Sequence, residues 1–193
     1  MRLFLLGCNG FIGKGLVPEL IKAGHEVTVM SRRSKQKWHG SLQPESFTHL
    51  QLDPTREFSW KSTELLNKLK NSDGVINLAG EPIAEKRWTP NHRKLIEDSR
   101  LISTKNLINT MSQLNSPPKV LINGSAIGFY GTSQKAEFNE ESCSGKDFLA
   151  QLCEKWESMA SGKPPRTRLV IIRIGIVLEK GGGAMGKMLP IFR

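Results

Sequence analysis

Near the N-terminus four apolar residues, Leu3-Phe4-Leu5-Leu6, run directly into Gly7-Cys8-Asn9-Gly10-Phe11-Ile12-Gly13. A short continuous apolar run reads as a strand covered on both faces, and Ile12, Leu16 and Leu20, with Val17 and Ile21, mark one face of a following helix. The glycines between them have separate uses. Gly7 permits a tight turn off the strand, Gly10 lets backbone N–H groups approach a diphosphate, and Gly13 lets the helix lie close to the sheet. The diphosphate would then rest on the positive end of the helix, with Asn9, Phe11 and Ile12 in the same binding loop. Strand, loop and amphipathic helix in register predict a dinucleotide site; the competing reading is an ordinary strand-to-helix turn.

A chain of 193 residues with 38% hydrophobic content is long enough to bury one α/β domain. The net charge of +10 favours anionic partners. The basic residues are spread along the chain without a long run, so a phosphate-bearing small molecule accounts for them and no nucleic acid is expected. Three cysteines at unrelated spacings, Cys8, Cys143 and Cys153, indicate neither a disulfide framework nor a zinc site, which fits a reducing cytoplasm. The four histidines lie far apart, so no metal is expected, and no apolar run approaches the roughly 20 residues of a membrane span. Leu5-Leu6-Gly7-Cys8 has the look of a lipoprotein cleavage box, but the apolar run before it is too short.

Ala23-Gly24 closes the first helix, in which Pro18 implies a kink. A second strand, His25 to Met30, ends at Ser31-Arg32-Arg33. In dinucleotide folds this strand end meets the adenosine ribose, where an acid accepts from the 2′-hydroxyl and an arginine accommodates a 2′-phosphate. Two arginines and no acid favour NADP(H); the plainer alternative is a solvated loop. Lys35 to Glu45 reads as a mobile surface loop. Phe47 to Leu52 is a third strand, and Asp53 after it either contacts adenine or caps the next turn. A helix over Ser62 to Asn71 leads into a fourth strand, Val75 to Gly80. Thr89-Pro90 starts a helix reaching about Leu114, on whose apolar side Arg100 points toward cofactor phosphates or the loop after strand four, unless it pairs with Glu97. Lys119 to Gly124 is a fifth strand, followed by Ser125 and by Tyr130-Gly131. Asp147 caps a helix with Leu149, Leu152, Trp156, Met159 and Ala160 on one face; Leu169 to Ile174 is a sixth strand, and Gly175 to Gly186 reads as a glycine-rich loop.

The G-x-x-G-x-x-G spacing, Asn77-Leu78-Ala79-Gly80-Glu81, Ser99-Arg100, Ser125-Ala126-x-Gly128, Trp156-Glu157 and Gly181-Gly182-Gly183-Ala184-Met185 together resemble the short-chain dehydrogenase/reductase superfamily, in its atypical "epimerase family protein" branch. The resemblance implies a Rossmann-type doubly wound parallel sheet of order 3-2-1-4-5-6 over residues 1–193. It also implies NADP(H) held through Ser31, Arg32, Leu78, Ala79 and Arg100, with Gly80 and Glu81 in the same loop. In the superfamily a serine after the fifth strand bonds the substrate oxygen and a Tyr-Gly pair borders the substrate, which makes Ser125 and Tyr130 the candidate catalytic residues. The superfamily's Tyr-x-x-x-Lys is missing: the corresponding helix positions hold Phe148 with Leu152 or Leu149 with Cys153, as is typical of this branch. Members usually continue for roughly another hundred residues, so the substrate-side subdomain is expected to be absent. Two functions compete, an NADP(H)-dependent oxidoreductase or epimerase of unknown small-molecule substrate and a non-catalytic NADP(H)-binding sensor.

Overall fold

The computed structural model describes residues 1–32, 45–179 and 183–188. Five strands with mostly apolar or β-branched interiors, β1 (Arg2–Leu6), β2 (Glu26–Ser31), β4 (Gly74–Asn77), β5 (Val120–Ala126) and β6 (Arg168–Ile174), join β3 (Phe47–Gln51) in one parallel sheet. Its order is β3-β2-β1-β4-β5-β6, the Rossmann order expected from the sequence. The helices are α1 (Phe11–Lys22), α2 (Thr63–Lys70), α3 (Pro90–Ser112) and α4 (Phe148–Ser161).

Alternation along β1 divides the core. Leu3 and Leu5 join Val17, Val27 and Val29 on the α1 side, whereas Phe4 and Leu6 join Leu65, Leu69, Leu107 and Met111 on the side of α2 and α3. Because β1 lies between β2 and β4, the chain reverses its direction of winding there, and a crevice opens beyond the C-terminal ends of these strands.

The helix ends follow their caps. The hydroxyls of Ser62 and Thr89 and the Asp147 carboxylate accept first-turn N–H groups of α2, α3 and α4. α1 runs from Phe11 through Pro18 to Lys22; the lost bond would have gone to Lys14, an exposed residue whose carbonyl water can reach.

Several boundaries differ from the sequence reading. β4 stops at Asn77, which leaves Leu78, Ala79 and Gly80 as loop, and α3 ends at Ser112, just short of Leu114. β5 extends through Ala126, so Ser125 stands inside the strand, paired in register with Arg173 of β6, and not in the loop after it. The stretch read as a glycine loop contains a two-residue strand, β7 (Leu178–Glu179), bridged to Gly183, and a short helix, α5 (Gly183–Met188). Two 3-10 turns, Glu57–Lys61 and Ile127–Tyr130, had no periodic signal. Arg33 and most of the segment from Lys35 to Glu45 lie outside the described residues, as do Gly181 and Gly182.

Candidate functional site

The β1–α1 turn is shaped by two glycines that the protein itself requires. Gly7 has φ +72°, and a Cβ there would strike the Leu78 carbonyl and the Ala79 nitrogen of the loop after β4. A Cβ on Gly13 would strike the backbone of Cys8. Gly10 differs: its backbone is extended, and a Cβ would meet only the Gly7 oxygen, at 3.5 Å. It is also the N-cap of α1, with no capping side chain and no acid in the first turn. The leading N–H groups of α1 therefore lack side-chain acceptors, an arrangement suited to an anion.

The loop after β4 is held from below by a buried polar network. Asn77 Nδ2 donates to Thr104 Oγ1 at 2.9 Å and to Asn123 Oδ1 at 2.7 Å, and Asn77 Oδ1 accepts from the Ala79 N–H. Trp156 Nε1 donates to the same Thr104 oxygen at 2.8 Å. From α3, Ser99 accepts from the Glu81 N–H and Arg100 donates to the Glu81 carbonyl at 3.1 Å. Arg100 thus serves the loop, as one of its two inward readings has it, and Glu97 pairs with Lys155. The Arg100 guanidinium lies against the Gly80 backbone and over the Trp156 ring; burial lowers its pKa from the usual value, while Cys153 and Glu81 act in the opposite sense.

These elements enclose a groove of about 130 Å³. Nine predicted cofactor residues converge on it: Gly7, Asn9, Gly10, Ser31, Arg32, Asp53, Ala79, Gly80 and Glu81. Arg32 lies 3.3 Å from the Glu81 carboxylate, the Ser31 hydroxyl is bonded to His49, and Asp53 accepts from Thr55, capping its own turn while lining the groove. Ser103 falls on or beside the same side of α3 as Arg100 but had no role assigned from the sequence. Its hydroxyl is buried, has no partner among the described residues and borders the groove, one helical turn from the Ser99-Arg100 pair that the sequence did single out.

A second, more apolar cleft of about 370 Å³ adjoins the groove across Leu78 and takes in Ile12, Arg100 and Ser125. α4 supplies Leu149, Leu152, Cys153 and Trp156 to it. Phe148 turns away and meets Trp88 edge-on, so at the missing Tyr-x-x-x-Lys the residues facing the cleft include Leu149 and Cys153. Burial pushes the Cys153 thiol above its usual pKa, while the neighbouring Ser125 side chain and Ala126 backbone act in the opposite sense.

Ser125 donates to Glu157 Oε1 at 2.5 Å, and Glu157 is gripped by both Nε and Nη2 of Arg173, at 3.0 and 2.9 Å. Arg173 Nη1 donates to the Tyr130 oxygen at 2.9 Å, and the guanidinium stacks 3.6 Å from the Phe129 ring centre. Glu157 first of all, and then Tyr130, raise the Arg173 pKa further above its usual value. Tyr130 is stacked on Phe138 and is not among the residues lining the cleft. Phe11 sits beside Gly183 of α5, and Gly13 is buried in the first turn of α1. Sequence reasoning quoted Glu157 only as part of a motif and gave Arg173 no role; neither has a spacing signal, because strand register and a helix from elsewhere bring them together.

Residues 3–152 match the NAD dependent epimerase/dehydratase family. The chain belongs to this family, as an atypical short-chain dehydrogenase/reductase. Over its whole length it is 38% identical to the chloroplastic SDR39U1 homolog of Arabidopsis thaliana, of which it spans 54%, and 35% identical to human epimerase family protein SDR39U1, of which it spans 60%. It superposes on the crystal structure of the human protein with NADPH at a TM-score of 0.77 and 33% identity, covering 100% of this chain and 59% of that one. The nucleoside-diphosphate sugar epimerase of Corynebacterium glutamicum gives 0.75 at 29% identity, covering 98% of this chain and 37% of that one. Among the described residues, no helix is long and apolar enough to cross a membrane and no group of three His, Cys, Asp or Glu side chains is placed to hold a metal.

Proposed function

We propose that this chain is the nicotinamide-dinucleotide-binding part of an oxidoreductase or epimerase-like protein and that it prefers NADP(H). The observation that carries the reading is the groove at the uncapped N-terminus of α1, where an open Gly10, the Arg32 guanidinium and the orphaned Ser103 hydroxyl face one space. The donors fit the group: N–H groups suit a diphosphate, Arg32 suits a 2′-phosphate, and Ser103 would gain the partner it lacks. The human relative's crystal structure with NADPH supports the same choice. When bound, the nicotinamide would supply hydride exchange; this chain's residues would orient it, with the cleft beside Ser125 receiving a small-molecule substrate. Calorimetry with NADPH and NADH tests the assignment. Tighter binding of NADPH, with the preference lost in Arg32→Ala, is expected; equal affinities for the two cofactors overturn it.

The sensor reading draws on one observation, the absence of a phenol and a lysine from the cleft-facing turn of α4, where Leu149 and Cys153 stand. NADPH oxidation against a panel of aldehydes, ketones, quinones and nucleotide sugars separates the two readings. Turnover by a chain extended over the length of its relatives supports the enzyme; binding of NADPH without turnover in either length supports the sensor.

A further inference from the structure

The Ser125–Glu157–Arg173 chain carries information about what the cleft can recognise. Glu157 receives two guanidinium hydrogen bonds and is a carboxylate, which can only accept. A serine hydroxyl owns one proton, and the 2.5 Å contact commits that proton to Glu157. What Ser125 has left to offer the cleft are lone pairs. The commitment is not incidental: Ser125 and Arg173 are register partners on neighbouring strands, so their side chains project from the same face of the sheet, and Glu157 descends on both from α4. The side chains of Arg173 and Glu157 are only 18% and 14% exposed, so water competes weakly for either.

We propose that Ser125 meets the substrate as a hydrogen-bond acceptor, so that the cleft takes an alcohol and not a carbonyl compound in its resting state, with Glu157 as the final proton acceptor. The inference rests on the dinucleotide-linked reading of the site. The alcohol O–H bond breaks as its proton passes to Ser125 Oγ, while the proton of Ser125 passes to Glu157. The C–H electron pair leaves as hydride for the oxidised nicotinamide, and a C=O bond forms. The products are a carbonyl compound, a reduced nicotinamide and a Glu157 carboxylic acid that later returns its proton to water. Ser125 and Glu157 would thereby occupy the acid–base role for which the cleft-facing turn of α4 has neither tyrosine nor lysine.

The test needs no turnover. Cyclohexanol and cyclohexanone share a six-membered ring and differ in whether the oxygen can donate; their binding to this chain is followed by NMR titration of the cleft resonances without cofactor. The alcohol is expected to bind about tenfold more tightly. Ser125→Ala should erase the difference. Glu157→Gln should invert it, because the amide NH2 would donate to Ser125 and release the serine proton toward the cleft. Thermal unfolding checks that this variant is folded; if it is not, the comparison of the two probes on the parent chain and on Ser125→Ala still decides. Equal binding, a preference for the ketone, or binding of neither probe overturns the inference. NADPH calorimetry separates the two readings: dinucleotide binding without an alcohol preference sinks this inference alone, and an alcohol preference without dinucleotide binding keeps Ser125 as an acceptor but sinks the proposed function together with the hydride step that rests on it.

Discussion

At the scale of single residues, Arg32 and Glu81 show how a groove can hold its own competitor. The second strand ends without an acid, yet Glu81 arrives from beyond β4 and stands 3.3 Å from the Arg32 guanidinium. A 2′-phosphate on Arg32 would face that carboxylate, so Glu81→Gln should raise the preference for NADPH over NADH by about threefold to tenfold, read by calorimetry with both cofactors. An unchanged ratio would show that Glu81 lies outside the phosphate's field. The cysteines give a second residue-level expectation. Burial pushes the Cys8 thiol from 9.0 up to about 12, whereas Cys143 is exposed, so a thiol reagent at mild pH should modify Cys143 fast and Cys8 only on unfolding. A thiol kept neutral in the fold stabilises it fully below about 9, and that contribution is lost as pH climbs toward about 12. Unfolding free energy should fall across this window, and Cys8→Ala should flatten the fall. Sequence alone could place Arg32 at a strand end and Cys8 in a glycine turn; it could not bring Glu81 to the one or bury the other.

At the scale of elements, the three glycines of the β1–α1 turn separate folding from binding. A Cβ on Gly10 meets only the Gly7 oxygen at 3.5 Å, so Gly10→Val should leave the circular dichroism spectrum intact and abolish dinucleotide binding by filling the approach to α1. Gly13→Val should fail differently, lowering stability by several kcal/mol or preventing folding, since its Cβ would enter the Cys8 backbone. Equal thermal stability of the two variants would mean that the turn's geometry is misunderstood. Asp147 accepts from the N–H groups of Leu149 and Ala150 at 2.9 and 3.0 Å, so Asp147→Ala should cost about 1 kcal/mol in denaturant unfolding. The caps at Ser62, Thr89 and Asp147 are local chemistry, readable from a side-chain oxygen ahead of a periodic run. The end of β5 is not: Ser125 belongs to that strand because β6 continues beside it as far as Ile174.

For the whole molecule, a net charge of +10 attracts dinucleotides from every side. Raising salt should weaken NADPH binding more steeply than NADH binding, because the extra phosphate adds charge for the same field to act on; parallel salt slopes would confine the effect to bare diffusional attraction. The strands themselves were legible in the chain because each is a short apolar run separated by helical periodicity; their order was what the resemblance to the superfamily implied, and the sheet adopts it. The glycine turn and the basic strand end were legible because each depends on residues adjacent in sequence, whereas the loop after β4 was read as strand as far as Gly80. Where Ser125 sends its proton, what holds Arg100 and that the Ser103 hydroxyl finds no partner among the described residues were settled only by tertiary structure. Ser125, Glu157 and Arg173 lie on a strand, a helix and the next strand, and no local pattern records a contact that arises when a parallel register and a helix crossing place three distant side chains within hydrogen-bonding distance.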